Sequence, residues 1–156
     1  MSIERAKAHL QKYGFADKIR EFEVSSATVE LAAKALGTEE ARIAKTLSFS
    51  LGETAVLVVC AGDTKINNQK YKAVFEKKAK MLSFDEVEAK IGHAVGGVCP
   101  FGINEDVSVY LDESLKRFDT VYPAAGTASS AVELTISELE AASESLGWVD
   151  VTEILQ

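Results

Sequence analysis

Cysteine, histidine and proline are scarce in this chain: two of each among 156 residues. Cys60 and Cys99 lie in no CxxC pair and no metal-spaced array, so no zinc site is expected. With only His9 and His93 available, a Ser-His or Cys-His nucleophilic system has little material, and neither GxSxG nor HExxH occurs. The phosphate-cradling patterns GxGxxG and GxxxxGK[ST] are also missing, and no cofactor is expected. No apolar run approaches the roughly 20 residues that cross a bilayer. The opening MSIERAKAHL carries charges where a signal peptide needs an apolar stretch, so a cytoplasmic protein with no membrane partner is expected.

What is present reads as one soluble globular domain over residues 1–156. Hydrophobic residues make up 47% and charged residues 26%, ordinary values for a domain large enough to bury a core. The net charge of −7 argues against an obligate binder of duplex nucleic acid. That charge is uneven: residues 1–103 carry 15 basic and 13 acidic side chains, residues 104–156 carry 2 and 11. Lys65, Lys70, Lys72, Lys77, Lys78 and Lys80 face only Glu76 in sequence. This stretch is either a solvated helix face or a local basic surface able to hold a few phosphates.

Periodicity and punctuation give the elements. SIERAKAHLQKYG reads as a helix from a Ser2 cap to a Gly14 stop, and SATVELAAKALG as a second ending at Gly37. KIREFEV is a short strand. In EEARIAKTLSFSLGETAVLVVCAG a few helical residues precede two strands joined by a tight turn at Gly52-Glu53. The second of these has the continuous apolar run of a central strand. Helices follow at NNQKYKAVFEKKAK, capped by Asn67 or Asn68, and at FDEVEAKIG, capped by Ser83. Strands at DVSVYLDESL, FDTVYPAAG and AVELT lead to a helix at ISELEAASESLG, capped by Thr135 or Ser137. The tail WVDVTEIL fits a strand or a short helix. Hairpin-linked strands mixed with helices, without regular βαβ alternation, predict an α+β fold: a mixed, curved sheet flanked by helices.

A few residues could carry chemistry. Lys45 has Ile43 and Ala44 before it and Leu47 close behind, at the start of a strand. It is either a snorkelling lysine or a fixed cation held beside the core. AVGGVCPFG packs Gly96, Gly97 and Gly102 around Pro100. Such a loop is either a structural turn or a stiffened run of main chain that a ligand can approach closely. The other proline, Pro123, precedes Gly126 in VYPAAG. Asp63 could cap a turn or hold an amine, and Cys99 could be a nucleophile or a small apolar residue. His9 falls on a helix expected to face solvent, and His93 reads as a surface-loop residue or one lining a site. If the chain is an enzyme, positioning and electrostatics are expected to do the chemistry, with no protein nucleophile.

The ordered set ARIAKTLSF, CAGDTKIN, VGGVCPFG, VYPAAG and AVELT resembles the YbaK/EbsC family, related to the editing domain inserted in bacterial prolyl-tRNA synthetases. The resemblance runs from the first helix to the last. It implies a trans-acting aminoacyl-tRNA deacylase that hydrolyses the ester of a mischarged tRNA, commonly tRNA(Pro) carrying alanine, cysteine or another small amino acid. The implied partners are the 3′ acceptor end of aminoacyl-tRNA and, transiently, prolyl-tRNA synthetase. Lys45 matches the family lysine of the KT motif that activity requires. Gly96, Gly97, Val98, Pro100 and Gly102 match the loop bordering the pocket for the acylated 3′ end, and Gly126 matches a second loop. Phe22 falls near the position of a pocket aromatic. Relatives acting on cysteine often carry a serine and paired glycines where this chain has Ala124 and Ala125, and an acid where it has Val132. Both changes are expected to make the pocket less polar, so cysteine specificity does not transfer. A tRNA-end or small-ligand binding module without catalysis is the alternative, and hydrolysis of another small activated ester a third reading.

Overall fold

A computed structural model describes residues 2–155. Its centre is a hairpin, β2 (Ile43–Leu51) and β3 (Thr54–Ala61), closed at Gly52, whose φ of 88° suits the tight turn. Every residue of β3 from Ala55 to Ala61 is buried, as its unbroken apolar run predicts. β5 (Val107–Asp112) lies parallel to β3, and β9 (Trp148–Val149) parallel to β5. On the other side β6 (Thr120–Pro123) runs parallel to β2, with β8 (Leu134–Thr135) antiparallel at the edge. The sheet order is thus β8-β6-β2-β3-β5-β9, a mixed six-stranded sheet in an α+β fold. Two short ribbons complete it: β1 (Ile19–Glu21) with β7 (Ser130–Val132), and β4 (Thr64–Ile66) with β10 (Thr152–Ile154).

Helices cover both faces. α1 (Ser2–Gln11), α4 (Phe84–Ile91) and α5 (Ile136–Ser143) bury Leu10, Ile91 and Leu139 against Leu57, Val59 and Leu111. On the opposite face α3 (Asn68–Phe75) packs Tyr71 on Phe49, Val56 and Val58, while α2 (Val29–Leu36) packs Ala32 and Ala33 on Ile43. The caps follow the expected chemistry. Thr28 accepts from Leu31 N–H, Asn67 from Lys70 N–H, and Ser83 and Thr135 form capping boxes with Glu86 and Glu138. Ser2, expected to cap α1, falls within it, and its side chain is outside those described.

Several local details differ from or refine the sequence reading. AVELT is not one strand: the chain breaks at Glu133, giving β7 to β1 and β8 to β6. β4 is too short for periodicity to reveal, and EEAR yields only a single 3-10 turn at Glu40–Arg42. The tail forms two strands, β9 and β10. His9 is largely buried rather than solvated: its Nε2 lies 2.6 Å from the carbonyl of Ala142 in α5.

Candidate active site

The site begins with a gap in the sheet. Parallel pairing of β2 with β6 stops at Ala44 and Pro123. Further along β2, Ser48 C=O accepts from Leu82 N–H and Ser50 N–H donates to Lys80 C=O, so the 80–82 segment takes over as neighbour. Between these two contacts the edge of β2 at residues 45–47 has no partner strand among the described residues. A cleft of about 470 Å³ opens over this edge.

Lys45 lines the cleft, opposite Cys60 in the β2–β3 register. Its Nζ donates to the Thr64 carbonyl, which ties the ammonium to the start of β4. The walls are apolar: Val29 and Ala32 from α2, Leu82 and Val87 around α4, with Ala124 and Ala131 opposite. Gly96 and Val98 bring the glycine loop to the same space. Gly97, between them, faces the second loop. A Cβ there would stand 2.5 Å from both Gly126 C and Thr127 N, so only glycine lets the loops touch. Gly126 itself has φ of 101°, a left-handed conformation that disfavours a side chain.

The polar inventory is short. Lys45 is the one charged residue lining the cleft, and no carboxylate, histidine or cysteine lines it among the described residues. Ser26 Oγ donates to the Ala128 carbonyl, Ser130 Oγ to the Thr127 carbonyl, and Tyr122 Oη to Glu133. Thr28 is engaged as the α2 cap. Thr46 differs: its Oγ1 is buried without a hydrogen-bond partner. A lone cation and an open strand edge beside the glycine loop suit the binding of a small, electron-rich group. They do not suit proton abstraction by a protein base.

Residues 23–142 match the family described as aminoacyl-tRNA editing domain. The chain belongs to that family. It is 50% identical over 152 residues to the uncharacterized protein YwhH of Bacillus subtilis, with 97% of each chain covered. It is 30% identical over 134 residues to EbsC of Enterococcus faecalis, named as a candidate Cys-tRNA(Pro)/Cys-tRNA(Cys) deacylase, covering 85% of this chain and 79% of that one. A crystal structure of a candidate trans-editing enzyme for prolyl-tRNA synthetase superposes with a TM-score of 0.87 at 31% identity, over 97% of both chains.

Within this editing domain the remaining motif residues separate into groups. Lys45, Gly96 and Val98 share the cleft, and Gly97 and Gly126 lock its two loops together. Pro100 and Gly102 turn away from it, toward a second hollow beside Arg5 and His9. A Cβ on Gly102 would meet the Arg5 carbonyl at 2.4 Å, so this glycine serves close packing against α1. Phe22 is half-buried and outside the cleft lining, its N–H bonded to the Ser129 carbonyl. Of the three positions that depart from cysteine-acting relatives only Ala124 reaches the cleft. Ala125 and Val132 are fully buried, and Val132 joins the main core, so neither affects the lining.

The other titratable candidates have structural work. Asp63 is held by both terminal nitrogens of Arg117, at 2.6 and 3.0 Å, and this guanidinium keeps its carboxyl below the ordinary range. Cys99 is completely buried and its thiol is pushed up to about 12 by desolvation, which leaves no thiolate for attack. Burial likewise pushes the Cys60 thiol up to about 11, with a Thr64 hydrogen bond and the Lys45 charge opposing. His93 is buried as well, bonded through Nε2 to the Phe101 carbonyl with Cys99 Sγ 3.5 Å away. Of the lysine stretch, Lys65 and Lys70 are paired with Glu153 and Asp150. Among the described residues no ion pair engages Lys72, Lys77, Lys78 or Lys80. Sequence reasoning missed the open edge at Thr46 and the exposed Phe84 at the cleft. The open edge depends on where two distant segments stop pairing, and Phe84 has the sequence context of an ordinary first-turn residue of α4.

Proposed function

We propose that this chain is a trans-acting deacylase of mischarged aminoacyl-tRNA, acting on a small, weakly polar amino acid esterified to the 3′ end, with tRNA(Pro) as the expected carrier. The observation that carries the reading is Lys45, the one charged residue lining an apolar cleft at an unpaired strand edge among the described residues, in a chain of the editing family. An aminoacyl ester is already activated. Holding it still and stabilising charge on its carbonyl oxygen supplies the barrier lowering needed. Lys45 fixes a phosphate or ribose oxygen of the terminal nucleotide. A water oxygen, or a hydroxyl of the substrate acting through a transient ester, then bonds to the carbonyl carbon as the bond to the ribose oxygen breaks. In the direct route the proton lost by water goes to that ribose oxygen, giving a free amino acid and an intact tRNA. With no carboxylate, histidine or cysteine lining the cleft among the described residues, the proton moves between substrate and solvent groups.

Selection works by exclusion. Val29, Ala32 and Ala124 leave an apolar hollow where a bulkier or rigid acyl group meets backbone, whereas attraction to one methylene distinguishes substrates by only about 1–3 kcal/mol. The test is deacylation of alanyl-, cysteinyl- and seryl-tRNA(Pro), with prolyl-tRNA(Pro) as control, by the wild type and by Lys45→Ala. Cleavage of at least one mischarged ester, lost in the variant, supports the reading. Rates equal to buffer, or a fully active variant, overturn it.

The bare chemistry of the cleft lends weight to a second reading, capture of an acylated tRNA end without turnover. Binding of mischarged tRNA at physiological salt with no ester loss would favour it. The net charge of −7 argues for weak, steeply salt-dependent affinity instead.

A further inference from the structure

The direction of the main chain at Thr46 adds a role beyond Lys45. In a β-strand the N–H and C=O of one residue point to the same side, and alternate residues point to opposite sides. β2 and β3 close on a two-residue turn between Leu51 and Thr54, so Leu51, Phe49, Leu47 and Lys45 direct their main-chain groups to β3. Ser50 and Ser48 direct theirs outward, as their bonds to Lys80 and Leu82 show. Thr46 therefore points its N–H and C=O outward too. The β2–β6 register ends at Ala44 and Pro123 and the 80–82 segment engages only Ser48 and Ser50, so Thr46 points into the gap. It lines the cleft, directly follows Lys45, and carries the buried Oγ1 that lacks a partner. A donor and an acceptor left open a few ångströms apart on one residue is the end of a ladder awaiting one more strand-like group.

We propose that this open edge reads the free aminoacyl head of the substrate: Thr46 C=O accepts from the α-ammonium and Thr46 N–H donates to the ester carbonyl oxygen. The proposal rests on the deacylase reading and deepens it. An α-amino ester presents a cationic donor nitrogen and a carbonyl acceptor oxygen three bonds apart, carried on adjacent carbons, the same spacing that a strand residue offers its neighbour. As the carbonyl oxygen gains charge on attack, the N–H bond strengthens, whereas the ammonium contact is the same in ground and transition states. Among the described residues no carboxylate lines the cleft to compete for the ammonium. The edge thus demands an unblocked amine and is indifferent to the side chain, which the apolar walls judge.

The probe is 3′-deoxy-3′-(alanylamino)adenosine, in which an amide replaces the scissile ester, alongside its N-acetyl form. Both are titrated into ¹⁵N-labelled full-length protein, and hydrolysis of alanyl- and N-acetylalanyl-tRNA(Pro) is followed in parallel. The expected results are a saturable shift of the Thr46 amide by the free-amine probe, at least tenfold weaker binding of the acetylated probe, and at least tenfold slower cleavage of the acetylated ester. An unmoved Thr46 amide while Gly96 and Val98 shift, or equal handling of blocked and free amines, overturns the proposal, as does the absence of any binding. Should the free-amine probe bind at Thr46 while no ester is hydrolysed, the edge reads the amine as stated and the deacylase reading fails alone.

Discussion

The backbone of Gly126 occupies the place where a side chain on Gly97 would begin: a Cβ there would lie 2.5 Å from Gly126 C. Neither loop is held in a regular element, so this contact sets their separation. Gly97→Ala must push the loops apart or strain them. Overpacking of this kind costs about 1–3 kcal/mol. A lower melting temperature with at least tenfold slower deacylation is expected, measured by thermal unfolding and single-turnover assay. A variant as stable and active as wild type would show that the loops move independently.

Lys45 is held by a single main-chain acceptor, Thr64 C=O. Lys45→Ala removes the one charge lining the cleft among the described residues and is expected to slow deacylation by about 100-fold or more, in the range seen for loss of one preorganised electrostatic group. Lys45→Arg should not restore it, since a planar fork cannot reproduce a compact ammonium bound to one carbonyl. Comparison of kcat for the three proteins on one mischarged tRNA checks this. Recovery by arginine would mean that charge alone suffices.

The buried, unpartnered Oγ1 of Thr46 weakens the fold where it stands. Thr46→Val removes that hydroxyl and keeps the shape. It is expected to raise stability by about 1 kcal/mol, a shift of roughly 2–4 °C for a chain of this size. Activity should fall at the same time, as at sites where stability is given up for function. A variant both less stable and fully active would mean that the hydroxyl is satisfied by water and idle.

Much of this fold was legible because its long elements announce themselves. β3 reads as central from its unbroken apolar run, α2 and α4 from a cap and a glycine stop, and the hairpin from Gly52. Some short pieces were not, since a three-residue strand such as β4 has no period to detect and takes its identity from its partner β10. The site was legible in part for a related reason. Lys45 and the glycine loops stand out by residue type, and the cleft gathers Lys45, Gly96 and Val98. The open edge at Thr46 is set by where β6 and the 80–82 segment end their pairing, which no local pattern encodes. Pro100 and Gly102 share a motif with Gly96 but line the hollow beside α1, just after the buried His93–Cys99 cluster in sequence.

That cluster gives the protein an acid-sensitive joint. Burial, opposed by the Phe101 hydrogen bond and helped by the positive charges of Arg5 and His9, holds His93 below the ordinary histidine value of 6.5. In the unfolded chain the imidazole takes up its proton first as pH falls. Its contribution to stability is therefore complete above about pH 6.5 and is lost as pH drops toward the folded-state value. The slope can reach about 1.4 kcal/mol per pH unit in that window. His93→Gln should be less stable at pH 7 yet lack this slope, as read from urea midpoints at pH 7, 6 and 5. Parallel curves for the two proteins would mean that His93 titrates normally.

Phe84 opens α4 at the cleft with 76% of its surface exposed, next to Met81 at 57%. A large aromatic left in water at the mouth of a site has little structural reason to be there, since Val87 and Ile91 already anchor the helix. With Lys77, Lys78 and Lys80 in the adjoining segment, which no ion pair engages among the described residues, it would give the proposed deacylase what single-stranded nucleic acid needs: a flat face for a base and cations for the backbone. The terminal base of the acceptor end would stack there while its ester reaches Lys45. Stacking of one base is worth about 1–3 kcal/mol. Phe84→Ala is accordingly expected to lower kcat/KM on mischarged tRNA by about tenfold, mostly through KM, and Phe84→Trp to retain it. Neither should alter hydrolysis of a simple alkyl ester of the same amino acid, which has no base to stack. An equal loss on both substrates would place Phe84 in the acyl pocket rather than under the base. No loss on either would leave the ring outside the path of the substrate.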